Sequence, residues 1–282
     1  MKHSSLPTSL IASLLGLLAF FFISCQAPQS DLENWVDKIE THLSQSEGGQ
    51  LIVEAMDAHG GLQTWLENEV LEFRWIYHMN DRGPNAVVNT KQKVDTSSMK
   101  AVHTVPDSDI QFGWDGSDAW ISPAETEFSG PPPRFWSLTP YYFVGVPFVF
   151  ADLNANFELM SDPFDFEGTT YQQVKVTYNA GTGDAPDDYY KVLIHPFSKQ
   201  VAAVRYIVTS PLVAPDGPLP EKLLTLESLI EVKGSFIPTK HRSFKMNGDV
   251  LDEHIRDAES EEIQWLKRST VDFEAPEHSK KL

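Results

Sequence analysis

Near residue 70 the spacing of apolar side chains changes from every third or fourth position to every second. That change restricts what the chain can fold into. Upstream, Leu32, Trp35, Val36, Ile39 and Leu43 share one helical face, and Ser30-Asp31-Leu32-Glu33 before them has the form of a capping box. A second short helix is predicted over 50–58 with Leu51, Ala55 and Met56 inward. His59-Gly60-Gly61 ends it, and Gly60 suits the positive φ past a last helical turn. His59 reads as a helix-terminal residue near the negative end of the dipole rather than a ligand. From Leu71 the pattern is different. Leu71, Phe73, Trp75, Tyr77 and Met79 alternate with residues that include Arg74 and His78, as a strand with one apolar face requires. Further strands are predicted over 85–94, 99–105, 172–178, 189–195, 200–209, 223–232, 236–246 and 262–273. Ile110, Phe112 and Trp114 run into Asp115-Gly116, a hairpin signal, and Trp120-Ile121 return. Pro196-Phe197-Ser198-Lys199 reads as another hairpin loop. No βα alternation and no internal repeat is visible. The fold class is therefore α+β, mainly β: helices, then a long antiparallel meander.

Two segments interrupt the meander. Residues 128–151 hold Phe128, Phe135, Trp136, Tyr141, Tyr142, Phe143, Phe148 and Phe150, with prolines at 140 and 147 that divide it into a loop and one or two short helices. Residues 210–221 (SPLVAPDGPLPE) form a stiff, exposed loop with Leu212, Val213 and Leu219 as apolar tips. A sheet with one apolar face must cover that face, and loose cover leaves a concave apolar cavity of the kind that binds ligands. Phe135, Trp136, Tyr142, Phe143, Phe148, Phe150, Trp75 and Tyr77 are the candidate lining. The competing reading makes these rings ordinary core. Trp136 and Tyr142 carry polar atoms that are costly to bury unpaired, which suits partial exposure at a cavity mouth.

Cys25 is the only cysteine. It follows an apolar stretch over 10–23, behind a short leader carrying Lys2, and Ser24 is the small residue before it. The stretch is shorter than the ~20 residues a spanning helix needs. Phe22-Ile23-Ser24-Cys25 resembles the lipobox of bacterial lipoproteins. That resemblance implies cleavage before Cys25 and a diacylglyceryl group on its sulfur; the alternative is a free cysteine in a signal peptide cut elsewhere. The expected division is a signal peptide over 1–24, a lipidated tether over 25–30 reaching at most ~20 Å, and a single domain over 31–282. Two or more acyl chains make such anchoring stable. No thiol would remain for a disulfide, so stability must come from a core.

The charge balance, 22 Lys and Arg against 40 Asp and Glu with a net of -18, disfavours nucleic acid and anionic surfaces as partners. The acidic residues are scattered, as solubility alone requires. The chain has no GxSxG, HExxH, Walker loop or GxGxxG after a strand, and its histidines are isolated. No cofactor or metal and no enzymatic activity is expected; a hydrolase site assembled only in space is the residual possibility.

Three stretches carry a wider resemblance: Ala55-Met56-Asp57-Ala58-His59-Gly60-Gly61-Leu62 with Trp65, Asp115-Gly116-Ser117-Asp118-Ala119-Trp120-Ile121-Ser122-Pro123, and Gly234-Ser235-Phe236-Ile237-Pro238. With the strand order they resemble the LolA/LolB lipoprotein-sorting superfamily over roughly residues 50–270, judged as a hydrophobic-pattern match. The resemblance implies a strongly curved antiparallel half-barrel of about eleven strands covered by short helices, with an interior that accepts acyl chains. It also implies a membrane-facing loop with an apolar tip, a part Leu212 and Val213 would play. Gln26 stands where lipoproteins retained at the inner membrane carry aspartate, which implies residence at the outer membrane. The extra length and the aromatic, proline-broken segment depart from the LolB pattern. The expected partners are a membrane, through the anchor, and a hydrophobic ligand, acyl chain or lipidated protein. The alternative function is an envelope binding or assembly module that presents Trp136 and Tyr142 to glycans or proteins.

Overall fold

The structure is a computed structural model that describes residues 30–282; Cys25 and the segments expected to be a lipobox and a signal peptide lie outside the described residues. Helix α1 (Asp31–Leu43) opens with the expected box, in which Ser30 Oγ accepts from the Glu33 N–H at 3.2 Å and Glu33 Oε2 accepts from the Ser30 N–H at 2.6 Å. Val36, Ile39 and Leu43 are buried, while Trp35 remains largely exposed. Helix α2 (Glu47–Ala58) starts three residues earlier than predicted because Ser46 caps it, its Oγ accepting from the Gly49 N–H. Gly60 has φ +111°, and a Cβ there would lie 2.0 Å from the Gly234 carbonyl oxygen. Glycine is thus required both for the turn and for the close approach. Helix α3 (Leu62–Glu67) then buries Trp65.

Strands β1 (Val70–His78), β2 (Val87–Asp95), β3 (Ala101–Thr104), β4 (Gln111–Trp114) and β5 (Ala119–Ser122) form an antiparallel meander. The chain then crosses the aromatic segment and returns as β6 (Ala155–Leu159), β7 (Phe164–Phe166), β8 (Thr169–Tyr178), β9 (Tyr190–Ile194), β10 (Val201–Tyr206) and β11 (Lys222–Thr225). A separate hairpin, β12 (Ile230–Val232) and β13 (Ser235–Ile237), leads to β14 (Lys240–Asn247), β15 (Val250–Leu266) and the short β16 (Lys280–Lys281). The sheet order is β16-β5-β4-β3-β2-β1-β15-β14-β11-β10-β9-β8-β6, with β7 on β8. All pairings are antiparallel and the ends do not meet, so the sheet is an open half-barrel. The hairpin of β14 and β15 is inserted between β1 and β11, and it alone joins the two meanders into one sheet.

The sheet has fourteen strands rather than about eleven. The strand expected over 262–273 is β15, which begins at Val250; its first half is rich in Asp, Glu and His, residues that do not signal a strand locally. Pairing with β14 decides the conformation of that half, and β1 pairs with residues 257–266. The strand expected over 223–232 ends at Thr225, and residues 230–232 belong to the separate hairpin. Strand β7 was not predicted.

Leu71, Phe73, Trp75 and Tyr77 all face a main core shared with α1–α3 and the aromatic segment. The other face was expected to be polar, yet it carries a second, smaller core of Phe164, Phe166, Leu193, Ala203, Leu223, Phe244 and Met246. Strand β10 shows the division: Val204 and Tyr206 point to the main core, Ala203 and Arg205 to the other side.

Candidate ligand-binding site

Helices α4 (Pro133–Trp136) and α5 (Thr139–Val144) roof part of the inner face. Pro133 and Pro140 occupy first-turn positions, where a missing N–H costs nothing. The roof is held by specific contacts. Trp136 lies 5.4 Å from Tyr77, Phe143 5.0 Å from Tyr206, and Tyr142 stacks on Tyr190 at 6.1 Å. His103 of β3 donates from Nε2 to the Ser137 carbonyl at 2.8 Å, tying sheet to roof. Burial pushes that imidazole down to about 4, so it is neutral.

Roof and sheet bound a half-open cavity of about 540 Å³, within the ~300–1,000 Å³ typical of small-molecule sites. Its walls are Trp75 and Tyr77 of β1, Tyr178, Tyr190 and Tyr206 of β8–β10, and Leu224 of β11. Phe135, Trp136, Leu138, Tyr142 and Phe143 cover it, and Val208, Val213 and Leu219 close one side. Burial raises the phenol pKa values of Tyr142, Tyr178, Tyr190 and Tyr206, so these rings offer apolar bodies with neutral hydroxyls.

Charged groups also line the cavity. Arg134 pairs with Asp184 at 2.8 Å, and its guanidinium sits 3.6 Å from the Trp114 ring centroid. Asp188 accepts from the Thr209 N–H and Oγ1 at 2.6 and 2.7 Å. Arg256 donates to the Tyr77 hydroxyl at 2.9 Å and to both Asp81 carboxylate oxygens at 3.1 and 3.0 Å. Arg82 and Lys222 are further lining residues.

Of the residues singled out in the sequence, Trp75, Tyr77, Phe135, Trp136, Tyr142 and Phe143 line this one cavity. Phe148 and Phe150 do not. A single 3₁₀ turn at Phe148–Phe150 directs them into the core, where Phe148 stacks on Trp65 at 4.5 Å and Phe150 lies 5.5 Å from Tyr190. Trp136 is not partly exposed at a mouth: it is 3 % exposed, and its indole N–H has no partner among the described residues. Val213 lines the cavity while Leu212, 46 % exposed, points away. Sequence reasoning missed Tyr178, Tyr190, Tyr206, Lys222, Leu224 and Arg256. The period-2 positions near the strand ends carried the tyrosines, but only the fold brings those ends together. His59 is structural: Nδ1 donates to the Phe236 carbonyl and Nε2 accepts from the Val201 N–H, both at 3.1 Å. Among the described residues no group of three His, Cys, Asp or Glu is placed to hold a metal ion, and no helix is long and apolar enough to cross a membrane.

No protein-family model and no curated protein matches this chain. Among solved structures it is similar to a LolA superfamily protein from Nitrosomonas europaea, at 10% identity over 76% of this chain and 94% of that one, with a TM-score of 0.45. A DUF1329 family protein from Desulfovibrio piger is similar at 9% identity over 84% of this chain and 94% of that one, with a TM-score of 0.45. At these scores the likeness carries no argument about ligand or activity.

Proposed function

We propose that this chain binds a hydrophobic ligand, an acyl chain or an acylated partner, between the inner face of its half-barrel and the aromatic roof, and that it does so in the cell envelope. The half-open cavity of about 540 Å³, walled by Trp75, Tyr77, Tyr190, Tyr206 and Leu224, is the observation that carries this reading. Capture needs no chemistry. Each buried methylene contributes about 0.8 kcal/mol, set against the loss of translational and rotational freedom on binding. Anchoring through an acylated Cys25 at the outer membrane belongs to the same proposal. The rival reading displays Trp136 and Tyr142 to a glycan or protein; the Trp136 ring is buried and Tyr142 half-buried, which disfavours it.

The test is mass spectrometry of gently purified protein, followed by titration of the delipidated chain with a fluorescent fatty-acyl probe. Co-purifying lipid and saturable uptake are expected, and Leu224→Trp, which intrudes into the cavity, should weaken uptake while the fold persists. Absence of lipid and of uptake in the unaltered chain would overturn the proposal. For the anchor, Cys25→Ser should move the protein from the membrane fraction to the soluble fraction; unchanged membrane retention would refute it.

A further inference from the structure

One end of the cavity carries more positive charge than its surroundings can neutralise, in a chain whose net charge is -18. Lys222 opens β11 on the inner face. It sits across from Tyr206 of β10 and Lys245 of β14, on the same face as the lining residue Leu224. Arg82 and Arg256 line the same cavity. The nearby acids are committed elsewhere. Asp81 is held by both the Nε and Nη2 groups of Arg256, and Glu253 pairs with Lys245 at 2.7 Å. Among the described residues neither the Lys222 ammonium nor the Arg82 guanidinium makes an ion pair or a side-chain hydrogen bond. Lysine and arginine side chains can only donate. This surplus of donors calls for a ligand group that only accepts.

Resting on the cavity reading above, we infer that the ligand is a single-chain amphiphile with an anionic oxygen head group, its chain in the aromatic cavity and its head group at Lys222 and Arg82. A carboxylate and a phosphate monoester share this acceptor-only chemistry, and both form short charge-assisted hydrogen bonds with ammonium and guanidinium groups. The desolvated Lys222 amine is pushed down to about 8, with Arg256 and Arg82 adding to the effect. A bound oxyanion would reverse that shift and be held more tightly by it. A neutral hydroxyl head group would accept a hydrogen bond but leave both charges uncompensated. A cationic head group would meet like charge.

The experiment titrates the delipidated chain with palmitate, hexadecyl phosphate, hexadecanol and hexadecyltrimethylammonium by calorimetry, all below their aggregation thresholds. At least one of the two oxyanion heads is expected to bind about tenfold or more tighter than hexadecanol. The quaternary ammonium is expected to bind weakest. Lys222→Met should remove most of that advantage, weakening the oxyanions far more than hexadecanol. Arg82→Gln, at an exposed position, should act in the same direction and guards against a folding defect in the first variant. Whichever of palmitate and hexadecyl phosphate shows the advantage identifies the head group. Equal affinity for hexadecanol and both anions, or an advantage that survives in both variants, would overturn the head-group inference while leaving the apolar cavity standing. Failure of all four amphiphiles to bind would overturn the cavity reading itself.

Discussion

Burial has fixed the charge state of two histidines in the core, and that makes stability depend on pH in a definite direction. His103 donates to the Ser137 carbonyl and His241 donates from Nδ1 to the Thr225 carbonyl at 2.9 Å. Desolvation pushes both imidazoles down to about 4 from an ordinary 6.5. Their folded forms are neutral, so their contribution is fully present above pH 6.5. It is lost as pH falls from 6.5 towards 4, because the unfolded chain takes up the protons first. Each histidine adds a slope of up to about 1.4 kcal/mol per pH unit in that window. Urea unfolding at pH 7.5, 6.5, 5.5 and 4.5 should show this loss, and His103→Gln should show a shallower one. Parallel profiles for the two proteins would contradict the assignment. Arg205 presents a different case. It is 1 % exposed on the outer face, donates to Glu221 at 2.6 Å and to the Gly248 carbonyl at 3.1 Å, and lies 4.8 Å from the Phe164 ring. Arg205→Met should destabilise by about 1–3 kcal/mol: Glu221 keeps Lys191 at 3.0 Å, but Gln173 and the Gly248 carbonyl lose their donor. Ligand uptake should be unchanged, since the outer face does not meet the cavity. Denaturant titration giving under about 1 kcal/mol would show that the pair is dispensable.

At the scale of elements, the aromatic roof is a short, proline-started pair of helices that could not persist alone. It is held at its base by His103 and, at its outer edge, by Arg134, which bridges to Asp184 in the 179–189 loop while covering Trp114. This pair is partly exposed and contributes little to global stability. Its position across the side of the cavity makes it a test of the proposed binding site. Arg134→Ala should raise the dissociation rate of a bound fatty-acyl probe several-fold, with unfolding midpoint changed by no more than about 1 kcal/mol, as stopped-flow displacement would measure. An unchanged rate would place ligand exit elsewhere. The 210–221 loop is built into the same wall: Ser210 and Ala214 are buried, and Val213 and Leu219 face the cavity. Only Leu212 remains outward for a surface contact.

For the molecule as a whole, the decisive feature is the insertion of the β14–β15 hairpin between two meanders that are separate in sequence. Strand β1 pairs with β15 along nearly its full length, and β15 pairs with β14, which pairs with β11. The centre of the sheet is therefore made from residues nearly 200 positions apart, which predicts slow, non-local assembly. Hydrogen exchange should find the slowest amides in β1, β2 and the second half of β15, and faster exchange in the edge strands β6 and β16. Uniform protection across the sheet would argue against this hierarchy.

Much of this protein can be read locally. The capping box at Ser30, the alternation from Leu71 to Tyr77, the Asp115-Gly116 turn and the aromatic density of 128–151 are each written within a few residues, because capping, pleating and turn geometry are short-range. They were enough to give a mainly β chain with an apolar face and an aromatic cover, and six of the cavity's lining rings. Distance in sequence hid the rest. The polar first half of β15 becomes a strand only when β14 supplies its hydrogen bonds, and β7 covers an outer core that no alternation pattern announces. Phe148 and Phe150 share the composition of Phe135 and Phe143, yet one 3₁₀ turn directs them into the core instead of the cavity. Lys222 reads as one surface lysine among many until strand pairing sets it beside Tyr206 and leaves it without a counter-ion. The sequence determined which side chains are apolar, aromatic or charged and how each short segment runs. Tertiary structure alone decided which of them face one another, because the burial that sets their energies comes from contacts between distant parts of the chain.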